Sequence, residues 1–142
     1  MTKRKLPAAK DWRNRPLETW NTTSFCAYLA DYHRELFGID YAPMRGWRTE
    51  QGIIGGLIGT AGKNPRPRTA SNALVKAFIE ETFASYTPSA QYPGTSFGFM
   101  WTYRKTDFQR LQAAEMAQQR RAQSAEQEAQ SAMSDEELEA WL

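Results

Sequence analysis

Residues 56–64, "GLIGTAGKN", come nearest to a chemical signature in this chain. A glycine-rich loop ending in lysine can cradle phosphates through its backbone amides, with a following hydroxyl to hold magnesium. That pattern requires glycine at 57 and Ser or Thr at 64, where Leu57 and Asn64 stand. The amides are then misplaced and the metal-holding oxygen is missing, which argues against nucleotide hydrolysis. The other reactive side chains are isolated. His33 is the chain's one histidine; it lies beside Arg34 and Glu35, off the apolar stripe of its helix, and reads as exposed. Cys26, the one cysteine, has Phe25, Tyr28 and Leu29 for neighbours and reads as a buried thiol, unable to form an internal disulfide or a thiolate metal set. Glu80 and Glu81 are adjacent and point in different directions on a helix, which separates them as an acid–base pair. The expectation is a protein that is not an enzyme and uses no cofactor or metal.

Cations offer the better lead. Residues 1–125 hold all 18 Lys and Arg against 10 acids, whereas residues 126–142 hold 6 acids and no base. A basic body attracts polyanions by long-range field and counterion release, and nucleic acid is the commonest cellular polyanion. In "KNPRPRT", Pro65 and Pro67 restrict the backbone and are expected to hold Lys63, Arg66 and Arg68 outward, so that little entropy is lost when a phosphate orders them. Arg45 and Arg48 flank the other end of the preceding helix. Tyr103, Arg104 and Lys105 add an aromatic beside two bases, a combination that can stack on unpaired nucleotides.

These residues need a scaffold, and the periodicity predicts an all-α bundle of about four helices. The first helix follows Thr22 or Thr23 as N-cap, carries Phe25, Tyr28, Leu29, Tyr32 and Leu36 on one face, and stops at Gly38. A second is expected from Thr49, with Ile53, Ile54, Leu57 and Ile58 inward. Its glycines at 52, 55, 56 and 59 each cost about 1 kcal/mol relative to alanine, so the segment must gain from close approach of a neighbouring backbone. The third runs from Ser71 through Leu74, Val75, Phe78, Ile79, Thr82, Phe83 and Tyr86 to Pro88. A fourth, capped by Thr95 or Ser96, buries Phe97 and Trp101. The apolar run at residues 52–61 is half the roughly 20 residues of a membrane span, and no apolar signal core follows the basic amino terminus, so a cytoplasmic protein without membrane contact is expected.

The ends differ from the body. Residues 1–19 form a basic tail, expected to be flexible or to wrap onto a partner, with Trp12 as a docking contact; residues 20–106 form the core domain. Residues 107–133 are rich in Gln, Ala and Glu, and predict a helix or linker projecting into solvent. Ser134 and Glu137 then satisfy a capping box for a fresh short helix whose Leu138, Trp141 and Leu142 share one side. Apolar anchors among acids suit a peptide that docks in a groove on another protein, or one that folds back on its own basic body.

Three stretches, "YLADYHRELFG", "AFIEETFASY" and "YPGTSFGFMW", resemble small helical domains of phage-encoded replication proteins, including the DnaD-like domains of primosome and helicase-loading proteins, over about residues 20–105. In that family a Tyr-x-x-x-Ile-x-x-x-Trp segment is linked to DNA binding. Phe97 and Trp101 match its last two places, and Tyr92 stands one position before the first, where Pro93 lies. The resemblance implies a DNA-bound helical adaptor that recruits replication machinery. Together these readings predict a non-catalytic accessory factor that holds nucleic acid, expected to be DNA, through Arg45, Arg48, Lys63, Arg66, Arg68, Arg104 and Lys105, and a replication or transcription protein through Leu138, Trp141 and Leu142. The alternative is a protein-binding regulator or assembly factor with no nucleic-acid contact.

Overall fold

Asn21, and neither of the threonines that follow it, opens the first helix of the computed structural model, which describes residues 6–140 and all of their side chains except those of residues 134–139. The Asn21 side chain accepts from the Ser24 amide at 3.1 Å and the Ser24 hydroxyl accepts from the Asn21 amide at 3.2 Å, so two otherwise orphaned donors are satisfied reciprocally. Helix α1 (Thr22–Phe37) ends where Gly38 takes φ 72°. Phe25, Tyr28 and Leu29 are buried as expected, but the stripe continues through His33, 1% exposed, while Leu36 is 47% exposed. The expectation of an exposed histidine is thus overturned. Its two ring nitrogens find backbone partners inside, and Phe37 closes that side against Phe83 and Tyr86.

Helix α2 (Trp47–Ile58) starts two residues before the expected cap; Gly46, at φ 86°, takes the capping position and Thr49 instead donates to the Arg45 carbonyl at 3.1 Å. Helix α3 (Asn72–Ser85) follows the predicted pattern: Ser71 accepts from the Leu74 amide at 3.0 Å, and Leu74, Val75, Phe78, Ile79, Thr82 and Phe83 are buried. Helix α4 (Phe97–Tyr103) is capped by Ser96 and buries Phe97 completely, with Trp101 half-buried and stacked on it. The described residues form five helices and no strands, an all-α bundle. None of these helices is long and apolar enough to cross a membrane.

Helix α5 (Lys105–Ala140) anchors in the bundle through Phe108, whose ring meets Phe78 at 5.4 Å and Trp101 at 5.2 Å. From Gln118 to Met133 every residue is exposed, which matches the projecting helix expected of that composition. The break expected at Ser134 is absent: α5 continues through it to Ala140. A capping box favours a helix start only where the preceding backbone leaves the helix, and with neither Gly nor Pro in α5 nothing forces that exit. Its 36 residues span about 54 Å at 1.5 Å each. Leu138 lies in this helix with its side chain undescribed, and Trp141 and Leu142 lie outside the described residues.

The amino-terminal segment also departs from the expected flexible tail. Trp12 packs its ring edge against Tyr28 at 4.9 Å and donates from Nε1 to Asp31 at 2.8 Å, so its docking contact is the protein's own α1. Arg13 pairs with Glu35, and Arg15 donates to the carbonyls of Pro7 and Thr19. Buried Asn72 fastens the segment by donating to the carbonyls of Leu17 and Trp20 at 2.8 and 3.0 Å. Two indoles and the buried Asn72 amide outweigh the disorder that the local charge suggests.

Candidate nucleic-acid interface

The glycines of α2 do accommodate a close approach, but its source is Arg66 and not a neighbouring helix. The Arg66 guanidinium lies over α2 and donates to the Gly52 carbonyl at 3.0 Å. A Cβ at Gly55 would stand 2.5 Å from the Arg66 Nη2, and one at Gly56 would stand 3.6 Å from Nη1. Gly59, at φ 86°, lets the backbone of Arg66 and Arg68 pass within van der Waals range, and Thr60 and Arg66 exchange backbone hydrogen bonds at 3.0 and 3.1 Å. Residues 60–68 therefore fold back along α2. This brings Arg66 beside Gly52, one helical turn from Arg48.

Arg68 is tied down similarly, donating to the Ala70 carbonyl at 3.2 Å and to Asn72 Oδ1 at 2.9 Å. The expectation that the prolines hold Arg66 and Arg68 freely outward is therefore corrected. Both residues are exposed, but part of each guanidinium is spent on carbonyl oxygens, because a turn carrying Pro65 and Pro67 supplies fewer amide donors of its own. Neither meets a carboxylate. The ion pairs among the described residues use Arg13, Arg34, Lys76, Arg104 and Arg110, so that Arg45, Arg48, Lys63, Arg66 and Arg68, like Lys10, Arg15, Lys105, Arg120 and Arg121, have no acidic partner there.

That asymmetry is local to the sequence. Residues 41–79 hold six bases and a single acid, Glu50, which is fully buried. The edge formed by α2 and the loop after it thus carries positive charge unopposed at its surface. Arg104 and Lys105 stand apart from this edge at the α4–α5 junction and are engaged locally. Arg104 pairs with Asp107 at 2.6 Å and donates to Ser85 at 3.2 Å, while the Lys105 ammonium sits 4.9 Å from the Trp101 ring centroid.

A buried polar network fixes this edge to the rest of the bundle, and sequence reasoning missed it. Tyr41 donates to Glu50 Oε1, the Met44 amide donates to Oε2 at 2.9 Å, and the Phe97 amide donates to the Tyr41 hydroxyl at 2.7 Å. Burial pushes the Glu50 carboxyl above its ordinary range, with the donors from Tyr41, Met44, Gly98 and Phe97 opposing the shift in part. The same burial and the neighbouring Glu50 push the Tyr41 hydroxyl up. Cys26, half-buried beside this network, is pushed up to about 11 by burial and by Glu50, which keeps its thiol protonated and unreactive at neutral pH.

His33 belongs to the adjoining layer. Its Nδ1 pairs with the Ile39 carbonyl at 3.2 Å and its Nε2 accepts from the Thr95 amide at 3.2 Å, an arrangement that requires the neutral ring. Burial lowers its pKa below 6.5, only partly offset by the Ile39 carbonyl. The unfolded chain then binds a proton that the folded chain refuses, so His33's contribution is complete above pH 6.5 and declines as pH falls toward the depressed folded value. We expect unfolding free energies measured by urea titration between pH 7 and 5 to fall with acidification, by at most about 1.4 kcal/mol per pH unit from this group. His33→Gln keeps a donor and an acceptor without the titration. The pH-dependent difference between the two proteins should trace that single proton.

Above His33 lies an open groove of about 770 Å³ between the 38–46 loop, the 86–96 loop and α4. Ile39, Met44, Tyr92, Phe99 and Tyr103 line it with exposed apolar surface, Tyr92 and Tyr103 being 63% and 65% exposed. Its floor is close-packed: a Cβ at Gly94 would stand 2.5 Å from His33 Nε2. No family model, curated protein or solved structure matches the chain. Among the described residues no group of His, Cys, Asp and Glu is placed to hold a metal ion.

Proposed function

We propose that the protein is a non-catalytic, DNA-associated accessory factor of the kind found in phage-type replication, as its resemblance to DnaD-like domains implies. Its α2 edge holds backbone phosphates, and its carboxy-terminal segment, with Leu138, Trp141 and Leu142, holds a protein partner. The observation that carries the reading is the clustering of five exposed bases, Arg45, Arg48, Lys63, Arg66 and Arg68, where none meets a carboxylate among the described residues and the single acid of residues 41–79, Glu50, is buried. Unpaired cations repel one another, and a surface that gathers them gains from a polyanion. Carbonyl contacts fix Arg66 and Arg68 in place while leaving other N–H groups of each fork to donate, so less freedom is lost on meeting a phosphate. Such contacts position without reading sequence, and no preference for particular bases follows from them.

Fluorescence anisotropy with labelled duplex and single-stranded DNA across a salt series tests the reading. The logarithm of the association constant should fall linearly with the logarithm of salt concentration. Arg45→Ala and Lys63→Ala remove exposed cations that make no side-chain hydrogen bond among the described residues, and each should flatten the slope by about 1. Absence of binding at low salt, or slopes unchanged in both variants, overturns the assignment. The groove beside α4 supports the second reading, a regulator that binds only protein, and that reading predicts no DNA affinity under any of these conditions.

A further inference from the structure

We infer that the groove walled by Ile39, Met44, Tyr92, Phe99 and Tyr103 receives residues 134–142 of a second copy of this chain, so that the molecules associate head to tail. The inference rests on the docking role proposed for that segment and names its occupant site; Arg45 and Arg48 are the bases it shares with the proposed phosphate contacts, and Lys63, Arg66 and Arg68 take no part in it.

The groove and the carboxy-terminal segment complement one another in kind. The groove holds five of the chain's exposed large apolar side chains within one concavity of about 770 Å³, a size that suits an inserted side-chain cluster. The segment 134–142 carries Leu138, Trp141 and Leu142 in a stretch with four acids, at the three- and four-residue spacing of a helix that lays one face into a groove. The two cannot meet within one molecule. Helix α5 begins at Lys105, two residues after Tyr103 in the groove wall, and runs unbroken to Ala140, about 50 Å away. While α5 remains one helix, the far segment reaches only a groove on another molecule.

Charge selects the same pairing. The charged side chain lining the groove, Asp40, is paired with Arg34, and bases stand at its rim: Arg45 and Arg104 follow the lining residues Met44 and Tyr103 directly, with Arg48 and Lys105 close behind, Arg104 being shared with Asp107. Residues 126–142 contain six acids and no base. Opposite fields of this kind steer the encounter and fix which end meets the groove. Because the groove and the segment are different surfaces, the contact is heterologous, and it propagates from copy to copy until a ring closes or the chain of copies ends.

Sedimentation velocity on the full chain over roughly 1–300 µM, a range bracketing micromolar affinity, provides the test. Mass should grow with concentration and fall back as salt is raised. A chain ending at Met133 should stay monomeric, as should Met44→Glu/Tyr103→Glu, which places charge on two exposed groove positions. Tyr92→Glu gives the same readout should that double variant lose its helical circular dichroism. Mixing the truncated chain with the groove variant restores one groove and one segment, so a single 1:1 complex should form and grow no further. A full chain that is monomeric throughout, assembly that survives removal of residues 134–142, or a mixture that forms no complex overturns the inference. Lys63 lies outside the stretches that build the groove, so the salt slope of DNA binding by the chain ending at Met133, with and without Lys63→Ala, tests the phosphate reading separately.

Discussion

Glu50→Ala is expected to lower the unfolding free energy by about 3–5 kcal/mol, a large part of the 5–15 kcal/mol typical of a domain. The carboxylate accepts from the Tyr41 hydroxyl and the Met44 amide, and Tyr41 in turn accepts from the Phe97 amide. Alanine takes the acceptor from a phenol and a backbone N–H, at about 1–3 kcal/mol for each, and leaves a void where Glu50 was fully buried. Glu50→Gln retains one acceptor and the shape, so its loss should be near the lower of these figures. The pH response separates charge from shape. Since burial raises the Glu50 pKa, the folded state keeps a proton that the unfolded chain releases, and its contribution is complete below pH 4.5 and declines as pH rises through the folded value. This slope opposes that of His33 and should vanish in Glu50→Gln. Urea titrations at several pH values check both points, and a loss below about 1 kcal/mol for Glu50→Ala would show that the network carries little.

Phe78→Ala should cost a similar amount, about 3–5 kcal/mol, for a different reason. Phe78 is fully buried and meets Phe97 at 6.1 Å and Phe108 at 5.4 Å, both edge to face. Removing the ring leaves a cavity at the one place where α3, α4 and the root of α5 meet, and forfeits two aromatic contacts beyond their area. A double-mutant cycle with Phe108→Ala should return a coupling of about 0.5–1.5 kcal/mol. Because Phe108 and the half-buried Leu111 are the apolar anchors of α5, which otherwise meets α3 through the Arg110–Glu81 pair and the Ser71 hydroxyl donating to Glu115 at 2.7 Å, hydrogen exchange in residues 105–117 should quicken in Phe78→Ala before exchange in α1 does.

The parts of this molecule legible in the sequence are those governed by local rules. Helix α3 shows its inward face at 3.6-residue spacing and its cap at Ser71, and Phe97 and Trp101 keep the four-residue interval that α4 stacks. The glycines of α2 signal that something comes close, but what comes close is a guanidinium 14 residues from the carbonyl it meets, and spacing cannot name it. His33 and Glu50 look like surface residues by type. Their burial is permitted by partners such as the Thr95 amide, 62 positions from His33, and backbone amides leave no mark in the sequence. Asn72 carries no signal of its role either, which is to fasten residues 17 and 20 and so to order a segment whose charge alone suggests disorder. Of the bases singled out, Arg45, Arg48 and Lys63 keep the free character expected of them, whereas Arg66, Arg68, Arg104 and Lys105 have structural contacts as well.

Helix α5 sets both a distance and a phase. Each residue inserted into its solvent-exposed stretch lengthens the arm by 1.5 Å and turns its far end by about 100° around the axis. Seven residues restore nearly the original azimuth at a new length, whereas two leave the length almost unchanged and face the end the wrong way. For the docking role proposed for residues 134–142, the solvent-exposed stretch, bare of apolar side chains other than alanine and Met133, would serve as a spacer set by its residue count, and insertion there is expected to disturb docking more than substitution.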